Sequence, residues 1–195
     1  MIYHFTTTCH LPWILESWRL EPGPNKIGGF PTDFLWATTD GDFCATATAF
    51  GKSAKIAFRK GLIRLVRFGI EDADFFEWAN ALSQRADWTP EQAAILERAG
   101  RDVGDDPRTW RCRREPLSLD GVVIETRGYA AGQQWSALEA KRIVRAYDDR
   151  RLTDVRGVVI SGRVYGSRRF CLKNGASGYE ILPPLPERQL GEIAQ

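Results

Sequence analysis

Metal-gripping side chains are scarce in this 195-residue chain: it has two histidines and four cysteines, Cys9, Cys44, Cys112 and Cys171, with no Cys-x-x-Cys pair among them. A zinc centre needs clustered thiolate or imidazole ligands, so neither a structural nor a catalytic metal site is expected. Scattered thiols without a leader pattern fit a reducing compartment better than a disulfide framework. No apolar run approaches the ~20 residues that cross a bilayer, and Met1 leads into a strand pattern rather than a basic and then apolar leader. The expectation is a cytoplasmic protein with no membrane partner. Gly-x-Ser-x-Gly, the Walker pattern and a dinucleotide fingerprint are also missing, which removes the commonest hydrolase, NTPase and Rossmann readings. Clustered metal-binding carboxylates are absent too, which disfavours a nuclease.

What is present begins at the first residues. Tyr3-His4-Phe5-Thr6 is a short apolar strand with polar side chains at alternate positions, so His4 and Thr6 point the same way. A helical pattern follows over Thr8 to Arg19, with Thr8 placed to cap it, Pro12 in its first turn, and Leu11, Ile14, Leu15 and Trp18 on one face. The stretch Glu21 to Asp33 is broken by Pro22, Gly23, Pro24, Gly28, Gly29 and Pro31, and is a candidate lid. A second strand is expected at Leu35 to Thr39, then a short helix within Gly41 to Phe50. Ala54 to Arg59 and Leu62 to Phe68 alternate about Lys60-Gly61 and predict a hairpin.

The middle of the chain changes character. Asp74 to Arg85 and Pro90 to Ala99 carry helical patterns, the second with Thr89 as cap, and Gly100 to Pro107 is a polar connector. Strands resume at Gly121 to Thr126, Gly157 to Ile160, Val164 to Leu172 and Ser177 to Leu182, while Trp135 to Tyr147 is assigned as helix. Pro183, Pro184 and Pro186 end the last strand. The sum is an α+β chain, one domain over 1–195, with a helix after the first strand and a helical insertion at about 72–107.

The net charge is only +2, but arginines cluster at 108–114, 142–156 and 163–169. Such clusters can track phosphates; balanced by Asp148, Asp149 and Asp154 they are equally an ordinary solvated surface.

Two segments resemble a known family. Tyr3-His4-Phe5-Thr6 with His10-Leu11-Pro12-Trp13-Ile14-Leu15-Glu16 and Leu20 is similar to the opening of ADP-ribosyltransferase-fold proteins of the DarT-like and related bacterial groups, and Gly178-Tyr179-Glu180-Ile181-Leu182 is similar to their terminal strand. The resemblance covers about a quarter of the chain. It implies an ADP-ribosyltransferase-like split β-sheet that clasps NAD as a substrate, with no metal, and transfer of ADP-ribose to a nucleic-acid or protein acceptor. His4 and Thr6 would hold the adenine-side ribose and neighbouring phosphates, and Glu180 would be the catalytic carboxylate. Thr38, Thr39 and Trp36, on the second strand, complete the candidate cofactor-binding set; Trp36 and Tyr129 are aromatics able to stack on nicotinamide or a base. A carboxylate suits Glu180's place because breaking the nicotinamide–ribose bond builds positive charge on the ribose carbon. Glu125, at the end of Val122-Val123-Ile124, is the rival carboxylate. The chain departs from the family in two places: Leu35-Trp36-Ala37-Thr38-Thr39-Asp40 lacks the asparagine/proline and arginine motif of DNA-modifying members, and Gly178 stands where arginine-modifying members carry Gln or Glu. The alternative is a catalytically inactive nucleic-acid- or protein-binding module.

Overall fold

A computed structural model describes residues 1–23, 34–47, 52–80, 83, 88–129, 132–145, 155–165, 169–172 and 179–182. It is a mixed α/β structure in which antiparallel strands outnumber helices. The chain divides into two compact units: unit 1 is Met1–Phe5, Arg19–Gly51 and Arg67–Ile124, and unit 2 is Thr6–Trp18, Lys52–Val66 and Glu125–Gln195.

In unit 1 the strands follow the order β5 (Phe76–Glu77), β6 (Trp110–Arg113), β3 (Leu35–Thr38), β1 (Ile2–Thr7), β4 (Leu65–Ile70) and β8 (Val123–Arg127). Two short strands, β2 (Arg19–Leu20) and β7 (Leu117–Ser118), form a separate antiparallel pair. Strand β6 was not anticipated, because its sequence was read as part of an arginine cluster. Its Trp110 and Cys112 are buried while Arg111 and Arg113 are half-buried, the period of a strand with one face inward. Over β3 and β6 lies an aromatic core of Phe34, Trp78, Trp88, Trp110 and Cys112, with Trp36 and Phe76 packed against it.

The helix that closes this core, α3 (Pro90–Asp102), matches the expectation and runs three residues further. Thr89 and Gln92 form a reciprocal capping box, each side chain bonding the other's backbone N–H, and Pro90 occupies a first-turn position where no N–H is needed. Gly100 is required on the helix face that meets the core, since a Cβ there would lie 2.4 Å from the Trp110 ring. The helix expected over Asp74 to Arg85 is not formed up to Asn80, while Ser83, the other described residue of that span, is helical. Residues Asp72–Asp74 and Trp78–Asn80 are single 3-10 turns flanking β5, and they turn Phe76 and Trp78 into the aromatic core.

Unit 2 holds α1 (Leu11–Ser17) and α2 (Lys52–Arg59), the two-residue β9 (Ser136–Ala137) paired with the end of β8, the antiparallel sheet β10 (Ala140–Arg145), β11 (Val155–Ile160) and β12 (Arg163–Tyr165), and the hairpin β13 (Arg169–Leu172) with β14 (Tyr179–Leu182). Helix α1 packs against β10 and β11. Thr8 does not cap it: the Thr8 hydroxyl accepts from Arg64 N at 2.9 Å and Thr8 N donates to Arg64 O at 3.0 Å, so Thr8 ties the chain to the segment before β4. The expected helix over 135–147 is β9 and β10 instead in its described residues; branched Ile143 and Val144 pair with Val158 and Gly157 across the ladder.

The hairpin predicted around Lys60-Gly61 is also corrected. Lys52–Arg59 is helical, and Lys60-Gly61 is its C-terminal cap. Leu62 N donates to Ala57 O at 2.9 Å and Gly61 N to Phe58 O at 3.0 Å, with Gly61 at φ +69°. That is the pattern in which a left-handed glycine satisfies the last carbonyls of a helix. A Lys-Gly step signals either turn; Ala57 and Phe58 turned inward, with exposed Lys55 and Arg59 outward, decide for the helix. Of the expected helix in 41–50, residues 41–47 are bends and turns, and 48–50 lie outside the described residues.

Candidate functional site

The first strand places His4 half-buried beside β3. Its ring Nδ1 lies 2.7 Å from the Trp36 carbonyl oxygen. A carbonyl only accepts, so the proton sits on Nδ1 and, in the neutral ring, Nε2 is the acceptor. The ring also leans on Phe68, with centroids 6.0 Å apart. Orientation and tautomer of His4 are thus set by the sheet itself.

The register then sorts the candidate residues onto two faces. Tyr3 pairs with Thr38, and cross-strand partners share a face, so Tyr3, Thr38 and Trp36 lie on one side of the sheet. His4 and Ala37 lie on the other. One cleft lined by His4, Thr6, Thr38, Thr39 and Trp36 together is therefore not what the sheet builds. Trp36 belongs to the aromatic core, 5.1 Å from Trp78 and edge-on to Trp110 at 5.7 Å. Thr38 is 3% exposed, and its hydroxyl donates to Thr109 Oγ1 at 2.9 Å while accepting from Asp40 N at 3.1 Å. Thr39 is exposed, with its N–H donating to Thr109 O at 3.0 Å, and Thr6 is half-buried in β1.

On the Tyr3 face, residues 40–47 form a loop fixed by groups the sequence reading passed over. Asp40 accepts from Asp42 N at 2.8 Å and Phe43 N at 3.3 Å, the side-chain turn that Asp favours. Arg67 stacks over Tyr3, 4.8 Å from the ring centroid, and donates to the Gly41 carbonyl. Gly41 is needed because a Cβ would stand 2.9 Å from the Tyr3 ring. The far end of the loop is held by one carboxylate: Asp105 accepts from Ala45 N at 2.6 Å, Thr46 N at 2.9 Å and Thr46 Oγ1 at 2.5 Å, and Cys44 Sγ lies 3.7 Å away. Burial, chiefly, and the nearby Asp105 charge raise the Cys44 thiol above its ordinary pKa, so it stays protonated rather than becoming a reactive thiolate. Asp40-Gly41-Asp42 was a readable turn signal; Asp105, distant in sequence, was not.

Glu180 sits in β14, within the strand expected over Ser177 to Leu182, opposite Cys171 of β13; its side chain lies outside the described residues. Glu125 is half-buried in β8, opposite Ala137. Tyr129 is 50% exposed, set edge-on against Phe58 at 5.1 Å with Arg59 over its ring. Arginines 108–113 are paired rather than open: Arg108 with Asp106 at 2.7 Å, Arg111 with Glu77 at 3.6 Å and Asp72 at 3.9 Å, and Arg113 with Asp74 at 2.8 Å. Arg150, Arg151 and Arg168 lie outside the described residues, as do most of the candidate lid and Asp148, Asp149 and Asp154. Among the described residues no group of three or more His, Cys, Asp and Glu is placed to hold a metal, and no helix is long and apolar enough to cross a membrane.

Compared with family models, curated proteins and solved structures, the chain matches none of them.

Proposed function

We propose that the protein is an ADP-ribosyltransferase-like enzyme that binds NAD as substrate and cleaves its nicotinamide–ribose bond. The observation that carries this reading is His4: a half-buried histidine on the first strand whose ring is oriented by the 2.7 Å hydrogen bond between Nδ1 and the Trp36 carbonyl. An imidazole held in one orientation is a suitable partner for a ribose hydroxyl. Thr39, exposed just past the end of β3, and Thr6, two residues along β1, supply further short polar groups. Trp36 and Thr38, turned to the opposite face, drop out of the binding set.

In the chemical step nicotinamide leaves with the bonding electron pair, positive charge develops on the ribose carbon, and the Glu180 carboxylate stabilises that charge. The same carboxylate can take the proton of the acceptor hydroxyl or amine that then attacks. Arg111 and Arg113 are occupied by carboxylates, so recruitment of the acceptor falls to other groups.

Calorimetric titration with NAD, together with chromatographic detection of released nicotinamide, tests the reading. NAD binding unaffected by EDTA is expected, and Glu180→Gln should slow nicotinamide release by roughly 10²-fold or more with affinity little changed. No heat and no stabilisation at saturating NAD would remove the proposal; full activity in the Gln variant would move the carboxylate role to Glu125.

A further inference from the structure

We propose that helix α2 and its C-terminal cap form a docking surface for anionic lipid, by which the protein associates with, and does not cross, a membrane surface. The inference is independent of the NAD reading and reverses the expectation that no membrane partner exists. Residues 52–62 carry four cations and no carboxylate. Lys55 and Arg59 are exposed on the helix and Lys60 in its cap, on the side away from the inward-turned pair Ala57 and Phe58. Set among them is Ile56, 53% exposed, followed by Leu62 at 52% and the neighbouring Tyr129 at 50%. The outer face of α2 is therefore basic with large apolar side chains embedded in it.

That mixture discriminates between polyanions. A nucleic-acid backbone is met by cations and stacking aromatics, and it gives an exposed isoleucine and leucine nothing to bury against. An anionic bilayer surface uses both: lipid phosphates attract the cations, and the apolar side chains enter the boundary between headgroups and acyl chains. Tyr129 is an amphipathic ring of the kind that settles at headgroup depth. Phe58, 8% exposed and edge-on to Tyr129, together with the Gly61 cap, fixes helix and tyrosine in place before any lipid is met.

The test is co-sedimentation of the full chain with phosphatidylcholine vesicles, with and without phosphatidylserine. Binding to the serine-lipid vesicles alone is expected. Each of Lys55→Gln and Lys60→Gln should weaken it about fivefold, the factor for one cation at an anionic surface. The doubly substituted Ile56→Ser, Leu62→Ser protein keeps every charge and should also lose most of its binding; both positions face solvent, so an unchanged circular dichroism melt certifies its fold. The proposal is overturned if serine-lipid vesicles are not bound, if the double serine variant binds as wild type, or if a single-stranded oligonucleotide is bound and the vesicles are not.

Discussion

The two units use positive charge in opposite ways. Unit 1 carries ten Lys and Arg against sixteen Asp and Glu, and unit 2 seventeen against nine, so a chain with a net charge of +2 is the sum of an acidic and a strongly basic part. In unit 1 five arginines serve the structure: Arg101, Arg108, Arg111 and Arg113 meet carboxylates, and Arg67 packs on Tyr3 while holding the Gly41 carbonyl. In unit 2 Arg59 and Arg127 lie over the aromatic rings of Tyr129 and Trp135, and Lys55 and Lys60 stand in solvent. An arginine run is thus ambiguous until its neighbours are known. In the cluster at 108–114, which reads as a phosphate track, Arg111 and Arg113 meet the carboxylates of Asp72, Asp74 and Glu77. Lys55 and Lys60 of α2 and its cap, by contrast, are exposed.

The sharpest way to break this contrast is to remove what orders unit 1. Trp110 contacts Trp36 and Trp78 and closes over Gly100. Trp110→Ala should cost about 3–5 kcal/mol, the range for deleting a large buried aromatic, as measured by chemical denaturation. Hydrogen exchange on the same variant asks whether α2 and the β10–β11 pair lose protection with β3 and β6. Protection retained in unit 2 would make the division one of stability as well as of charge; loss in both would make it a division of surface alone.

Next in size is Asp105. Its carboxylate answers two backbone N–H groups and a hydroxyl in the loop after β3, and Asp105→Ala strands those donors. A loss of about 1–3 kcal/mol is expected, with protection of the Ala45 and Thr46 amides falling first. Asp105→Asn keeps an acceptor oxygen and should recover part of the loss. A variant as stable as wild type would show that water replaces the carboxylate at no cost.

How much of this was legible depends on the range of the interaction that decides it. The α3 cap was legible because Thr89, Pro90 and Gln92 are neighbours in sequence and satisfy each other. Strand β1 and the terminal β14 were legible from short apolar runs bounded by breakers. The helix α2 predicts as a strand because Ile56 and Phe58 stand two apart between Lys55 and Arg59, and only packing shows that Phe58 turns inward while Ile56 does not. The candidate site failed at the same kind of step. That His4 and Thr6 share a side follows from one strand; that Thr38 and Trp36 lie on the other follows from the Tyr3–Thr38 register, a pairing no single segment encodes. Asp105 was invisible for the same reason, being about sixty residues from the loop it holds.

Cys44 gives a smaller, pH-dependent effect with a definite sign. Burial and Asp105 raise its pKa in the folded state, so the folded protein holds the thiol proton where the unfolded chain releases it. The group's contribution is fully present below the unfolded value, about 8.5, and is lost as pH rises from there towards the folded one. Denaturation midpoints measured from pH 7 upward should therefore fall more steeply for wild type than for Cys44→Ala, and native Cys44 should alkylate more slowly than in the unfolded chain. Equal slopes would mean the thiol ionises as freely in the fold as outside it.

The smallest expected effect sharpens the comparison most directly. Arg113 bonds Asp74 at 2.8 Å, and its side chain is 17% exposed against 69% for the carboxylate. A pair this open on one side contributes at most about 1 kcal/mol, so Arg113→Ala should lower stability only slightly, and the difference from wild type should shrink as salt screens the pair. Asp74→Ala approaches the same bond from the other side. It removes the carboxylate partner of a mostly covered guanidinium, whereas Arg113→Ala leaves behind a carboxylate already in water. If the unit 1 arginines are structural, the carboxylate deletion is the costlier of the two, and neither substitution alters vesicle or NAD binding. Were Asp74→Ala instead to create binding to an oligonucleotide, the carboxylates of 72–77 would be masking a phosphate site, and the difference between the units would be one of occupancy.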